Sequence, residues 1–482
     1  MQRRLAMLCL ALVTSLVAGC SGGGTACGEG MQTCDNTCIP LGAACTGMGD
    51  MGMSTQDDML VGSDASLASL AVSPGGLNPA FSPTVTTYTV TAPLLSNTLT
   101  VTAAAIDAQA TIKVNGTVAA GGTAQVTLTP GLTMILVEVT SGTGVKMSYT
   151  IAVVPSLYGK ASNTGAGDQF GWSMSLSGDT LAVGAPYESS NATGIGGDQT
   201  NNTSTSSGAV YVFTRSGGSW AQQAYIKASN TGPAAAFGHS LSLSGDTLAV
   251  GAYGEASNAT GVGGNQNNSM ATGSGAVYVF LRTGTVWAQQ AYIKASNTGA
   301  NDQFGYSVSL AGDSLAVGAP LEDSNAMGID GNGANNTATD SGAVYVFTRS
   351  GTTWSQQAYL KASNTGASDY FGFSVSLSGD MLAVGAYGED SNATGIGGDG
   401  SNNSIGGSGA AYLFTRNGTT WSQRAYIKAS NPGNNDYFGY GLSLSAGALA
   451  VGAYGEASNA TGFLGDQSNN TLASSGAVYL FQ

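Results

Sequence analysis

The chain is poor in the residues that carry out chemistry. Of 482 residues only one is a histidine, His239, and lysine and arginine together number 14. A lone imidazole leaves little room for a Ser–His relay or a multi-histidine metal site. No zinc-protease helix, nucleophile elbow or phosphate-binding loop is recognisable, and no cysteine stands out as a catalytic thiol. Basic residues are outnumbered by 28 acidic ones, for a net charge of −14. Phosphate backbones would be repelled, which excludes nucleic acid as a natural partner. Beyond an opening stretch that ends near Val17, no apolar run is long enough to cross a bilayer as a helix. A helical period is missing throughout.

What the chain has is repetition. Phe170, Phe237, Phe304, Phe371 and Phe438 are evenly spaced, and each marks one 67-residue unit. Trp220, Trp287, Trp354 and Trp421 keep the same step, as do Gly208, Gly275, Gly342, Gly409 and Gly476. Five units in register cannot each bury a core and must stack. In the second unit Leu241 and Leu243 alternate with serines, which reads as a strand with one buried face. Ser244-Gly245-Asp246 is turn chemistry. It leads into Leu248-Ala249-Val250, so the two strands form a hairpin. A long polar loop, the run 275–282 and the run 287–294 complete four strands, a to d. Four short strands per repeat describe a propeller blade.

The last unit stops at strand c, Gly476–Gln482, while Leu157–Ser162, ahead of the first unit, matches the end of a strand d. Pairing these two would close a five-bladed ring with no open edge. The fold expected is all-β: a five-bladed propeller over 157–482, preceded by an immunoglobulin-like sandwich.

Phe-Gly at the start of strand a and Gly184-Ala185-Pro186 and Gly318-Ala319-Pro320 after strand b resemble FG-GAP repeats. The resemblance implies a propeller like that of integrin α chains, and a role in adhesion or recognition. Two features depart from it. Integrin rings have seven blades, and their calcium loop between strands a and b is here a tight Ser-Gly-Asp turn.

Arg3 and Arg4, the apolar run Leu5 to Val17 and then Leu16-Val17-Ala18-Gly19-Cys20 read as a signal peptide (1–19) ending in a bacterial lipobox. Cys20 is the residue to be lipidated, and Ser21 after it favours the outer membrane, on its surface or periplasmic face. Cys27, Cys34, Cys38 and Cys45 suit two disulfides in an exported segment too small for a core. A four-thiolate zinc site is the rival reading. The pairing stays open. Residues 46–63 read as a tether, which completes a 20–63 anchor segment. About seven short strands between 64 and 156 suggest a sandwich. Leu70-Ala71-Val72-Ser73-Pro74-Gly75 and Phe81-Ser82-Pro83 there resemble the cadherin-like β-sandwich of bacterial surface proteins, which implies a spacer.

Antiparallel topology sorts the charge between two loop ends. The a–b and c–d turns balance Asp179, Asp246, Asp313 and Asp380 against Arg215, Arg282, Arg349 and Arg416. The b–c and d–a loops collect acids: Asp168, Glu188, Asp198, Glu255, Asp302, Glu322, Asp323 and Asp330 in the first three units. Asp369, Glu389, Asp390, Asp399, Asp436, Glu456 and Asp466 follow in the last two. Asn191, Asn258, Asn325, Asn392 and Asn459 sit among them. Carboxylates, amides and glycine-freed carbonyls are oxygen ligands of the kind calcium takes. The competing reading is a solvated loop whose Asp and Asn satisfy turns. These residues are therefore the candidate ligand or Ca2+ sites, with no cofactor required. Near-identical blades favour multivalent binding over catalysis, which needs different groups in one place. The expectation is a non-enzymatic, surface-anchored lipoprotein that binds a protein or polysaccharide. A purely structural envelope protein comes next, and a glycan-active enzyme after that.

Overall fold

The computed structural model describes residues 31–34, 37–40, 64–91, 97–129, 132–154, 158–216 and 219–482. Among these residues nearly all regular structure is β, interrupted by one 3-10 turn at Ala120–Gly122. A hairpin of β1 (Met31–Cys34) and β2 (Thr37–Pro40) comes first, in a unit distinct from Ser63–Gln482. It carries Cys34 and Cys38. The signal peptide, Cys20, Cys27, Cys45 and the tether lie outside the described residues.

The sandwich holds eight strands: β3 (Leu67–Ser73), β4 (Thr87–Thr91), β5 (Thr98–Ala105), β6 (Thr111–Val114), β7 (Thr117–Val118), β8 (Thr123–Thr127), β9 (Thr133–Thr140) and β10 (Lys146–Val154). One sheet runs β4-β10-β9-β6-β7 and the other β3-β5-β8. Alternation explains the core. Ile135, Val137 and Val139 of β9 are buried together with Leu99 and Val101 of β5. The Tyr149 hydroxyl accepts from Leu67 N–H at 2.9 Å, satisfying a buried polar group at the sheet edge. The two-residue β7 is one strand more than the sequence pattern suggests, too short to show alternation.

Five sheets follow. Blade 1 is β11 (Met174–Ser177), β12 (Thr180–Ala185), β13 (Ala209–Ser216) and β14 (Ser219–Ile226). Blade 2 is β15 (Ser240–Ser244), β16 (Thr247–Ala252), β17 (Ala276–Thr283) and β18 (Val286–Ile293). Blade 3 is β19 (Ser307–Ala311), β20 (Ser314–Ala319), β21 (Ala343–Ser350) and β22 (Thr353–Leu360). Blade 4 is β23 (Ser374–Ser378), β24 (Met381–Ala386), β25 (Ala410–Asn417) and β26 (Thr420–Ile427). Blade 5 has three strands, β27 (Phe438–Ser445), β28 (Ala448–Ala453) and β29 (Ala477–Phe481). Strand a of each blade packs on strand a of the next, so the a strands line the axis.

In blades 2 to 4 strand a is covered on both faces rather than one. Leu243 packs towards blade 1, while Ser240 Oγ donates to Gly305 O of blade 3 at 2.8 Å. Ser242 Oγ accepts from Leu310 N–H at 3.0 Å. Small hydroxyls suit the axis, where blades converge and long side chains would not fit. Glycine closes strand b for the same reason: a Cβ on Gly251 would lie 2.0 Å from Gly305 O.

The expected closure of the ring is not made. Among the described residues β29 pairs only with β28, and Tyr158 to Ser162 form no strand. The sequence around Tyr158 leaves only a short stretch for such a strand. In register with Ser219–Ile226, residues 152–154 already belong to β10, and Pro155 has no N–H for a ladder. Gly159 stands where Ile226, Ile293, Leu360 and Ile427 anchor the other d strands in the core. The five blades form an open arc.

Candidate binding site

Most of the acids expected on the loop end are used by the fold. Glu188, Glu255, Glu322 and Glu389 are buried beneath the b–c loops, and each carboxylate meets the lysine of strand d. Lys227, Lys294, Lys361 and Lys428 approach them at 2.7, 2.8, 2.8 and 2.6 Å. Each lysine also donates to a serine, as Lys294 does to Ser274 Oγ at 2.7 Å. Burial pulls the lysine pKa values down, and the facing glutamate opposes it. These four glutamates are therefore internal ion pairs, a correction to their place on a solvent-facing acidic surface. Glu456 is buried as well, accepting from Asn431 Nδ2 at 3.0 Å and Ser458 Oγ at 3.1 Å, but no lysine reaches it.

The aspartates and asparagines mostly satisfy turns. Asp168, Asp302, Asp369 and Asp436 accept from Gly165, Gly299, Gly366 and Gly433 N–H at 2.7, 2.7, 2.7 and 2.6 Å. Burial pushes Asp302 and Asp369 up to about 7. Asp198, Asp399 and Asp466 lie exposed and each accepts from the N–H two residues ahead. Asp323 and Asp390 accept from Asp340 and Gly407 N–H across their loops, and Asp330 from Tyr359 N–H. The backbones of Asn191, Asn258, Asn325, Asn392 and Asn459 each donate to an Asn side chain ten residues on. Among the described residues no three Asp, Glu, His or Cys side chains converge in a way that would hold a metal ion.

The sequence pattern undervalues the aromatic residues at the axis. Trp172, His239, Tyr306, Phe373 and Tyr440 open strand a of successive blades. Their rings form a chain with centroid spacings of 5.5, 4.8, 5.0 and 4.7 Å. A second tier follows strand b: Tyr253 on His239, Tyr387 on Phe373 and Tyr454 on Tyr440, each at 4.6 Å. Tyr187 lies 6.3 Å from Trp172. Tyr370 stacks on Tyr387, and Tyr437 on Tyr454. All lie at the loop end and are half-buried or exposed. The two sequence positions, just after Phe-Gly and just after Gly-Ala, are legible, but their convergence comes from topology. His239 fills one place in this row. Its Nδ1 lies 3.3 Å from Tyr306 O, and burial draws its pKa down.

At the opposite end Arg282 pairs with Asp246 at 2.6 Å and lies over Trp287 at 5.3 Å. It also donates to Thr180 Oγ1 of blade 1 at 2.9 Å, stapling two blades. The expected balance of charge there is present.

The FG-GAP repeat model matches residues 160–213, 220–280, 287–347, 354–414 and 421–481, which together exceed half of the chain. The chain belongs to the FG-GAP repeat family. A cadherin-like beta sandwich domain model matches residues 67–154. FG-GAP repeats beside such a sandwich fit a binding or adhesion role. No curated protein matches the chain. Among solved structures, a Bacteroides uniformis protein described as a candidate 6-phosphogluconolactonase is similar at 11% identity and a TM-score of 0.30. That match covers 72% of this chain and 95% of that one.

Proposed function

We propose that this FG-GAP protein is a bacterial envelope lipoprotein that binds a polysaccharide, without catalysing its change, at the aromatic rows of the propeller's loop end. Cys20 would carry the lipid, and the sandwich would act as a spacer. The observation that carries this reading is the double row of half-exposed rings from Trp172 to Tyr440. Such rings offer an apolar face for the C–H faces of sugars, and tyrosine hydroxyls at the edge can meet sugar hydroxyls. The surrounding loops add amides and exposed carboxylates such as Asp198 and Asp399, while the four d-strand lysines are occupied inside. A neutral or amine-bearing glycan fits that surface better than an anionic one.

The test is binding of the full chain to an array of polysaccharides and envelope proteins, with and without a calcium chelator. Retention of a polysaccharide that Tyr387→Ala abolishes supports the reading. Retention of proteins alone would replace polysaccharide with a protein partner, and shortening of a bound glycan would make the chain an enzyme. Loss on chelation would assign calcium a part in the loops.

A further inference from the structure

Blade 5 keeps a socket that blades 1 to 4 fill. In blade 2, strand d brings Lys294 to Glu255 and Tyr292 to Ser257, whose hydroxyls lie 2.6 Å apart. Lys294 N–H also donates to Gly261 O at 2.8 Å. The corresponding receivers in blade 5 are Glu456, Ser458 and Gly462, and they line an open groove of about 390 Å³ beside the free edge of β29. Glu456 is 2% exposed. A buried carboxylate without a cation is costly, so this half-site wants a basic strand.

The matching half lies at the other end of the same chain. Tyr158 and Lys160 stand one repeat before Tyr225 and Lys227, which fill the socket of blade 1. Both are exposed. The sheet faces match as well. Blade 1 exposes Leu176 at 63%, where Leu243, Leu310, Leu377 and Leu444 are buried against the preceding blade. Blade 5 exposes Val478 at 54%, where Val210, Val277, Val344 and Ala411 are buried against the next. The two ends are the unused halves of a junction the chain makes four times.

We propose that blade 5 of one copy receives Tyr158 to Ala161 of a second copy as its missing fourth strand. Lys160 then pairs with Glu456, Tyr158 reaches Ser458, and Leu176 and Met174 pack over Val478 and Leu480. The chain's own segment does not fill this socket: β29 pairs with β28, and Tyr158, Leu176, Val478 and Leu480 all stay exposed. Trp172 and Tyr440, at the two ends of the aromatic row, make no ring contact with each other, unlike each neighbouring pair between them. A second copy continues the arc with the internal junction unchanged, whereas self-closure would require the junctions to bend. The contact is head-to-tail, so it extends through further copies unless it closes into a ring.

The full chain with p-benzoylphenylalanine in place of Tyr158, made in ordinary and heavy-nitrogen forms, is mixed, concentrated and irradiated. Cross-links from position 158 to blade-5 peptides, with mixed-isotope pairs abundant, are expected. Single-isotope pairs alone would mean that each chain closes on itself, and absence of blade-5 cross-links would mean the socket is not filled by this segment. Either overturns the proposal. Sedimentation in detergent gives a second reading. Lys160→Glu, at an exposed position, should reduce the assembly to single chains, as should Glu456→Lys. Mixing the two variants should restore the assembly, because the introduced glutamate meets the introduced lysine at one junction and Lys160 meets Glu456 at the next. Unaltered sedimentation of Lys160→Glu, or single chains for the unsubstituted protein at every concentration, overturns it as well.

Discussion

Lys294 Nζ donates to Glu255 Oε2 at 2.8 Å with almost none of either side chain in contact with solvent. The pair joins strand d to the b–c loop 39 residues earlier, and Asn230 Nδ2, donating to Glu255 Oε1 at 2.8 Å, ties in the end of the previous blade. Breaking it from one side strands a carboxylate in the interior. Lys294→Met is expected to cost about 3–5 kcal/mol in denaturant unfolding. The double variant Lys294→Met with Glu255→Gln should recover part of that loss, because no charge is left behind. If the double variant is as damaged as the sum of the single ones, the pair is not coupled as its geometry implies.

Asp302 and Asp369 carry a pH dependence of the opposite kind to most carboxylates. Burial raises both from the usual 3.8 to about 7, Glu322 and Glu389 adding to the effect while Gly299 and Gly366 N–H oppose it. In the unfolded chain the two acids ionise near pH 4, but in the fold they keep their protons to about pH 7. Between those values the folded state binds more protons, so stability falls as pH rises from about 4 to 7. Each acid contributes on the order of a few kcal/mol to that fall. Asp302→Asn with Asp369→Asn should flatten the slope of unfolding free energy against pH across this window. A slope unchanged in the double variant would place the titrating groups elsewhere.

Gly318 and Gly452 hold the same place in their blades but meet different neighbours. A Cβ on Gly318 would come within 1.9 Å of Gly372 O in blade 4, whereas on Gly452 the nearest atom is 3.7 Å away. Gly318→Ala should therefore cost at least about 2–3 kcal/mol, since backbone rather than a movable side chain would have to shift. Gly452→Ala should leave the unfolding midpoint of the single chain nearly unchanged. Equal costs would mean that the glycines serve strand b itself rather than the junction between blades.

Much of this architecture is legible in the order of residues alone. The constant phase of the repeat, the Leu–Ser alternation of 241–243 and the Ser-Gly-Asp turn place all four strands of a blade, because each signal is local. What is not legible depends on partners distant in sequence. Nothing around Glu188 announces Lys227, so its charge reads as surface charge until the fold places it under the b–c loop. The serines of strand a read as a wet face because serine is polar, although Ser240 Oγ spends its proton on the next blade. The front segment shows the reverse error. Tyr158 and Lys160 match strand d, but Pro155 and Gly159 weigh against a ladder there, and β10 has already taken the residues before them. The aromatic rows escape notice for a related reason: Phe373 and Tyr387 lie at opposite ends of a hairpin's sequence, and only the pairing of its strands brings their rings together.

Tyr387 offers the most direct handle on the loop end. Its ring packs edge-on against Phe373 at 4.6 Å and lies nearly parallel to Tyr370 at 4.9 Å, and it keeps part of its surface in solvent. Burial holds its phenol well above the usual range, so the hydroxyl stays protonated and able to donate at any physiological pH. A sugar seated on this ring would lose both the stacking face and that donor in Tyr387→Ala. Titration calorimetry with the polysaccharide retained on the array should show affinity lowered at least tenfold, about 1.4 kcal/mol. Tyr387→Phe should lose less than that, keeping the face and removing only the hydroxyl. The unfolding midpoint should move little in either, because the residue is only half-buried. Val286→Ala, exposed at the c–d turn on the other end of blade 2, should bind as the unsubstituted chain does. A polysaccharide that binds Tyr387→Ala as well as the unsubstituted chain would remove the aromatic rows from the site.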